Sequence, residues 1–236
     1  RSSVVSHAKT LGYTTRSATA AKATVDVFLN TSNTSATMPA GTVFNTSVGD
    51  ESYQFVTIKS VTASLSGSSI VFDDVDIYEG SYVSTRYTVD TQNVEQRFII
   101  NDERADTTTI SITVQNSASD TTSNTHTLAT DIAGLTSTSN VYFLQEVENG
   151  KYEVYFGDGV LGSAIEDGNI IIINYVVTNK AASNRADTFT SSSAIDTVNS
   201  INVVTVSNAA GGSEPESIES IKYNAPLDYA SQGRCV

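Results

Sequence analysis

The sequence predicts a mainly β protein built as two β-rich domains, one inserted into the other, with short helices at both chain ends. Three observations carry that reading. Composition comes first: 39% hydrophobic residues, three prolines, no tryptophan and a heavy loading of Ser, Thr, Val and Ile fit many short strands joined by polar turns. Spacing comes second. From residue 70 onward, β-branched runs recur about every dozen residues with Gly, Asn, Asp and Ser between them, as an all-β sandwich or barrel requires. The third is residues 141 to 177, VYFLQEVENGKYEVYFGDGVLGSAIEDGNIIIINYVV, where strand alternation and turn chemistry fall together.

In that stretch Val141, Phe143 and Val147 alternate with Tyr142, Leu144 and Glu146. Tyr152, Val154 and Phe156 resume the alternation beyond Asn149 and Gly150. Asn-Gly between alternating runs signals a β-hairpin with a two-residue type I′ turn, because both central positions need positive φ. Gly157, Gly159 and Gly162 bracket Asp158 in a second turn. Gly168 closes a third, leading into Ile170 to Val177, a run apolar enough for a strand buried on both faces.

Taken in order, Ser3 to Leu11 reads as a short helix stopping at Gly12, too short to stand alone and therefore expected to belong to a larger helical region of a longer protein. Thr24 to Leu29 is a strand, Pro39 and Gly41 make a turn, and Tyr53 to Ser64 reads as one further strand with Phe55 and Ile58 inward. The series continues with Ile70 to Tyr78, Tyr82 to Val89, Glu95 to Ile100 and Thr109 to Gln115. Strands at Ala186 to Ser191 and Ser200 to Ser207 follow. Residues 25–65 offer too few strands to close a core, while 187–208 lack partners, so the late strands are expected to return to the early ones. The resulting layout is a terminal helix and lead-in at 1–24, a discontinuous first β domain at 25–65 plus 181–212, an inserted β domain at 66–180, and a helical segment at 213–236. In that last segment Ser213 and Glu216 form a capping box. Pro215 fits the first helical turn, Asn224 the left-handed position past the end, and Pro226 blocks continuation, so the helix is expected to end near Tyr223.

Charge and chemistry exclude several functions. Thirteen basic against twenty-six acidic residues give a net charge of −13, which repels nucleic acid and anionic membrane, so no nucleic-acid partner is expected. No charged-then-apolar leader opens the sequence, and no apolar stretch approaches the roughly 20 residues that span a bilayer, so no membrane insertion is expected. The single cysteine, Cys235, allows no intrachain disulfide and no thiolate metal cluster. His7 falls in the terminal helix and His126 in a Ser/Thr-rich loop, neither near a second ligand. Asp73, Asp74 and Asp76 read as solvated strand carboxylates. Glu146, Glu148, Glu153 and Asp158 flank one hairpin and are expected to face solvent rather than to form a glycosidase pair. No nucleophile elbow, phosphate loop or dinucleotide fingerprint is present. The expectation is a protein that is not an enzyme, with no cofactor and no metal.

Several strings resemble one family in chain order: HAKTLGYTTRSATAAKATVDV at 7–27, FLQE at 143–146, YEVYFGDGVLG at 152–162, DGNIIIINYVVTN at 167–179 and GGSEPESIESIKYNAP at 211–226. They are similar to the baseplate J-like family of contractile-tailed bacteriophages, in particular its large baseplate wedge proteins. The resemblance implies a structural protein of the virion's tail baseplate, assembled in the host cytoplasm. It further implies that the protein holds neighbouring subunits together during assembly and sheath contraction. Its implied partners are other baseplate wedge proteins, with a homodimer inside a larger ring. Val4, Leu11, Ile218 and Ile221, on the two terminal helices, are the expected interface residues, because short helices beside a β core leave apolar stripes uncovered. The competing reading is an acidic β-rich adhesin or glycan-binding module gripping sugars through some of the 11 tyrosines. Capture of a defined glycan without capture of any tail protein would favour it.

Overall fold

Alternating β-branched residues become strands almost wherever they occur in the computed structural model, which describes residues 1–131, 134–148 and 150–232. The elements begin with α1 (Ser2–Thr10), β1 (Lys22–Asn30), β2 (Ser35–Met38), β3 (Val43–Val48), β4 (Glu51–Thr57), β5 (Val61–Ser66) and β6 (Ser69–Glu79). Next come β7 (Ser81–Thr88), β8 (Phe98–Ile100), β9 (Ala105–Gln115), β10 (Ser123–Leu128), β11 (Val141–Glu146), β12 (Tyr152–Phe156) and β13 (Ile170–Val177). A 3-10 turn at Lys180–Ser183, then β14 (Thr190–Ser191), β15 (Ile201–Ala210) and α2 (Ile218–Gln232) complete the order. The protein is mainly β, with two sheets and a short helix near each end. Two compact units share the chain: Arg1–Ser17, Ser84–Asn174 and Pro215–Val236 form the first, Ala18–Val83 and Tyr175–Glu214 the second.

The second unit is organised around β1 and β6. Its sheet runs β14-β3-β4-β6-β1-β15, with β5 also on β6 and β2 on β5. Alternation along β1 sends Ala23, Val25, Val27 and Leu29 into the core, where they meet Phe44, Phe55, Ile70, Phe72 and Phe189. Phe55 and Phe189 meet edge to face at 4.9 Å. Each such valine, leucine, isoleucine or phenylalanine contributes about 1.5–3 kcal/mol by leaving water. The alanines ahead of β1 are there for their size: Ala18, Ala20 and Ala21 are buried, and Glu79 N donates to Ala21 O at 2.8 Å.

Three expectations need correction in this unit. Tyr53 to Ser64 is two strands, not one. β4 and β5 lie end to end on β6 in nearly continuous register, Thr57 opposite Ile77 and Leu65 opposite Ile70. Between them the chain leaves β6, and Val61 to Ser64 pair with β2 instead. Second, β6 pairs along β1 and lies in this unit, not with the residues after 84. Its bulge at Asp73–Asp74, with Asp74 at φ 51°, interrupts the alternation that would have shown its affiliation. Third, Ala186 to Ser191 contributes only the two-residue β14.

In the first unit the sheet runs β7-β13-β9-β10-β11-β12-β8. Ile112, Val154, Ile171 and Ile173 are buried within it. Its outer strands approach each other: Tyr87 donates its hydroxyl to Ile99 O at 2.6 Å and meets Phe98 edge to face at 5.5 Å. Glu95 to Arg97, expected as strand, is a turn residue followed by irregular chain. Gln96 Nε2 donates to Thr88 O at 2.7 Å while its Oε1 accepts from Asp90 N at 2.9 Å, so one side chain satisfies backbone that a strand would have paired. β10 was unexpected. SNTHTL has one inward position, His126, and no apolar alternation to announce it. The terminal helices also belong to this unit, with 84–174, rather than forming segments of their own.

Gly80 offers a direct test of the packing in the second unit. It sits at φ +125°, and a Cβ there would lie 2.1 Å from Val177 O. Gly80→Ala is expected to cost on the order of 3 kcal/mol or to prevent folding. Gly49→Ala, at φ +62° with nothing within 4 Å of its Cβ, is expected to cost about 1 kcal/mol. Urea unfolding curves compare the two, and equal losses would contradict this packing.

Candidate interaction surface

The first unit anchors both terminal segments through buried polar groups. Glu146, at the end of β11, has a side chain only 1% exposed. Arg1 clamps it from both sides, Nε to Oε1 at 2.7 Å and Nη2 to Oε2 at 2.8 Å, and Thr15 Oγ1 donates to the same carboxylate. Tyr152, on the facing strand, donates to Thr15 O at 3.1 Å, and its burial pushes the phenol well above its ordinary pKa, so it remains a donor. The sequence expectation placed Glu146 and Glu153 in solvent. Both are buried, Glu153 against Arg97 Nε at 2.8 Å. Arg1 and Arg97 are far from the hairpin in sequence, and nothing local to the hairpin announced them.

The hairpin turn also differs. Val147 N donates to Lys151 O at 2.8 Å and Lys151 N to Glu148 O at 3.1 Å, leaving a three-residue connection with Gly150 at φ +78° rather than a two-residue one. Asn149 lies outside the described residues.

Glu216 is the second anchor, and it is not the cap the sequence suggested. Ser213 instead pairs with Thr19 backbone to backbone, 3.0 Å in both directions. The helix starts four residues later, where Ser217 Oγ accepts from Ser220 N at 3.1 Å. Glu216 is thereby free to accept from Tyr13 Oη at 2.9 Å, Ser220 Oγ at 2.7 Å, Asn224 Nδ2 at 3.0 Å and Arg16 N at 3.3 Å. Burial raises its pKa, but these donors outweigh burial and hold the carboxyl below its ordinary value. Asn224 is consumed here rather than ending the helix, which runs through Pro226 to Gln232. Proline inside a helix costs about 3 kcal/mol, and the packing of Ile221 and Ala225 against Val5 and Ala8 of α1 offsets it. α1 itself closes as expected at Gly12, with Gly12 N on Lys9 O at 2.9 Å and Tyr13 N on Ala8 O at 3.1 Å.

That packing changes which residues face solvent. Ile221 is 0% exposed, Val4 and Leu11 pack partly against it, and Ile218 is half-buried. Val4, Leu11 and Ile221 thus belong to the packing between the two helices. The exposed large apolar residues of α2 are Tyr223 at 71%, Leu227 at 53% and Tyr229 at 59%, with Tyr223 and Leu227 one turn apart on the other side of the helix.

The glycine turn forms another exposed apolar feature, as do Val204 and Val206 on β15. Asp158 Oδ1 accepts from Val160 N at 2.9 Å and Leu161 N at 3.0 Å, and those donors lower its pKa. Gly159 N donates to Gly162 O at 3.0 Å, while Gly162 N and Ser163 N bind Thr136 O and Ser139 O at 3.0 and 2.8 Å. A Cβ on Gly157 would fall 2.3 Å from Gly162 C, and one on Gly162 2.8 Å from Val141 Cγ2. The turn closes only with glycine at both places, and it exposes Val160 at 72% and Leu161 at 44%. Spacing gave the turn but not the exposure of the aliphatic pair. Gly168 lies beyond it at φ +79°, docked on Val89 O at 2.9 Å.

Glu146 and Glu153 do not face one another. Tyr152 pairs with Glu146 and Glu153 with Gln145, so the two buried glutamates point to opposite faces of the hairpin and cannot flank one bond. Asp76 pairs with Lys22 Nζ at 2.8 Å, and Asp26 Oδ1 caps Asp74 N at 2.9 Å. Among the described residues no three His, Cys, Asp or Glu side chains group to hold a metal. His126, expected in a loop, is buried on β10 with Nδ1 3.2 Å from Asn124 O and its ring against Phe156. No helix among the described residues is long and apolar enough to cross a membrane.

Residues 83–187 match the family model for the third domain of bacteriophage baseplate wedge protein gp6. The likeness is to a phage baseplate wedge protein. The chain is also 27% identical to baseplate wedge protein gp6 of Enterobacteria phage T4 over 268 aligned positions. That alignment covers 100% of the chain and 39% of the relative, so the chain spans about two-fifths of the wedge protein it resembles.

The anchors predict an acid-labile fold. His126 is held below its ordinary 6.5 by burial, so its neutral form contributes stability above that pH, and stability is lost as pH falls through 6.5 toward its folded value. Glu153, lowered mainly by Arg97, and Glu216 contribute stability above 4.5 that is lost as pH falls through their depressed values. Thermal midpoints should decline gently below pH 6.5 and steeply below 4.5. Glu216→Ala, which strands its donors, should cost about 2–3 kcal/mol at neutral pH and flatten the steep segment. A slope unchanged by that substitution would contradict the assignment.

Proposed function

We propose that this chain is a structural part of a phage tail baseplate wedge, a member of the J-like group of baseplate proteins, and not an enzyme. The observation that carries the reading is the alignment to a baseplate wedge protein across 100% of the chain, joined to the domain-model match at 83–187. The molecule is compatible with such a role. Its buried carboxylates are bound to structural donors, and its exposed apolar residues sit on ordered elements suited to protein contacts. In this reading the chain resides in the virion's baseplate, is assembled in the host cytoplasm, contacts other wedge proteins and holds neighbouring subunits in a ring during assembly and sheath contraction. A homodimer within that ring follows the closed symmetry common to such assemblies. Nucleic acid is not a partner for a surface of net charge −13. We also propose that the chain is nested, residues 84–174 folding as an insert between the two stretches of the second unit.

Two measurements test this. A tagged chain supplied during phage growth should co-sediment with purified baseplates, and a glycan array should stay blank. Binding of a defined glycan together with absence from baseplates would replace the wedge with an adhesin. Limited proteolysis should cut first near Ser66 or Ala182, exposed positions outside the insert, rather than inside 141–177, where first cuts would contradict nesting.

A further inference from the structure

We propose that the turn from Gly157 to Gly162 is a docking knob, whose Val160 and Leu161 enter an apolar pocket with a basic rim on a different protein of the assembly. The inference rests on the wedge reading and names one contact within it. Its basis is a conflict between order and exposure. Exposed aliphatic side chains on a mobile loop can fold over one another to escape water. Here they cannot. Asp158 fixes the amides of both residues, Gly159 is tied to Gly162, and Gly162 and Ser163 are held on Thr136 and Ser139. Gly157 and Gly162 approach too closely to admit any side chain. The turn thus holds Val160 and Leu161 outward in a single conformation, and little conformational entropy remains to be lost on binding. A small, rigid apolar projection is the complement of a pocket rather than of a flat surface.

Charge selects the occupant. The segments that build the turn, 134–141 and 152–179, contain no lysine or arginine, whereas Glu153, Asp158, Glu166 and Asp167 all fall within them. Glu153 is neutralised by Arg97, leaving the acids beside and beyond the knob exposed. A second copy of this chain, itself at −13, would bring like charge to that rim, so the pocket belongs to another protein and carries lysines or arginines around an apolar floor.

Cysteine protection in the assembled particle tests this. In a Cys235→Ser background, Val160→Cys is compared for maleimide labelling in the free chain and in purified baseplates. Labelling should be fast in the free chain and at least about tenfold slower in baseplates, since a docked side chain is removed from solvent. In parallel, Val160→Asp should keep the parent's thermal midpoint but enter baseplates at least about tenfold less efficiently, and Glu166→Lys should also reduce entry. Equal labelling rates in the two states, or normal entry of Val160→Asp, would overturn the knob while leaving the wedge reading intact. Unreduced entry of Glu166→Lys would overturn the basic rim. Absence of the unsubstituted chain from baseplates would overturn both readings together.

Discussion

The carboxylate of Glu79 is the point on which the rest of the chain depends. It is fully buried, and it accepts from Thr178 Oγ1 at 2.7 Å and from the backbone and side-chain nitrogens of Asn179, both at 2.8 Å. All three groups are donors, so the buried carboxylate oxygens are met by hydrogen bonds. Its position gives this its weight. Glu79 ends β6 just before the chain leaves the second unit, and Thr178 and Asn179 follow its return within β13. Residues 84–174 separate the two stretches of the second unit that these hydrogen bonds join. Beyond the return, Asn184 exchanges hydrogen bonds with Gly212, 3.0 Å each way, fixing the strand that finishes the sheet.

The first unit solves a different problem with similar means. It must hold two terminal segments that are remote in sequence, and with a single cysteine it cannot use a disulfide. Glu146 takes the segment before β1 through Arg1 and Thr15, and Glu216 joins that segment to α2 through Tyr13 and Arg16. Such groups are expensive to bury and specific once satisfied: losing one partner of a buried pair costs about 3–5 kcal/mol, more than most single apolar contacts return. The ends are therefore placed by buried polar groups together with the apolar seam between the two helices, while the sheets are held by apolar packing.

Much of this was legible in the sequence, and the failures have a common cause. The mainly β class, the strands β1, β6, β12 and β13, the closure of α1 at Gly12 and the glycine turn follow from rules that act over a few residues. Long-range partners escaped. Glu146 and Glu153 read as solvent-facing because their arginines lie 145 and 56 residues away. Glu216 read as a local cap because four of its donors come from outside the expected capping box. Pro226 read as a stop because propensity cannot register the packing of Ile221 and Ala225 on α1. The expected interface residues were Val4, Leu11, Ile218 and Ile221, and the exposed aliphatic pair, Val160 and Leu161, sat unremarked inside a motif recognised for its glycines.

The function rests on likeness to a wedge protein, and the most direct measurement is a cryo-EM reconstruction of the intact tail baseplate of a phage carrying this chain. The account predicts several symmetry-related copies within the baseplate ring, each with the two sheets described and with the Gly157 to Gly162 turn seated against a different protein. Density for the chain confined to a distal, cell-facing tip, or its absence from the baseplate altogether, would contradict it.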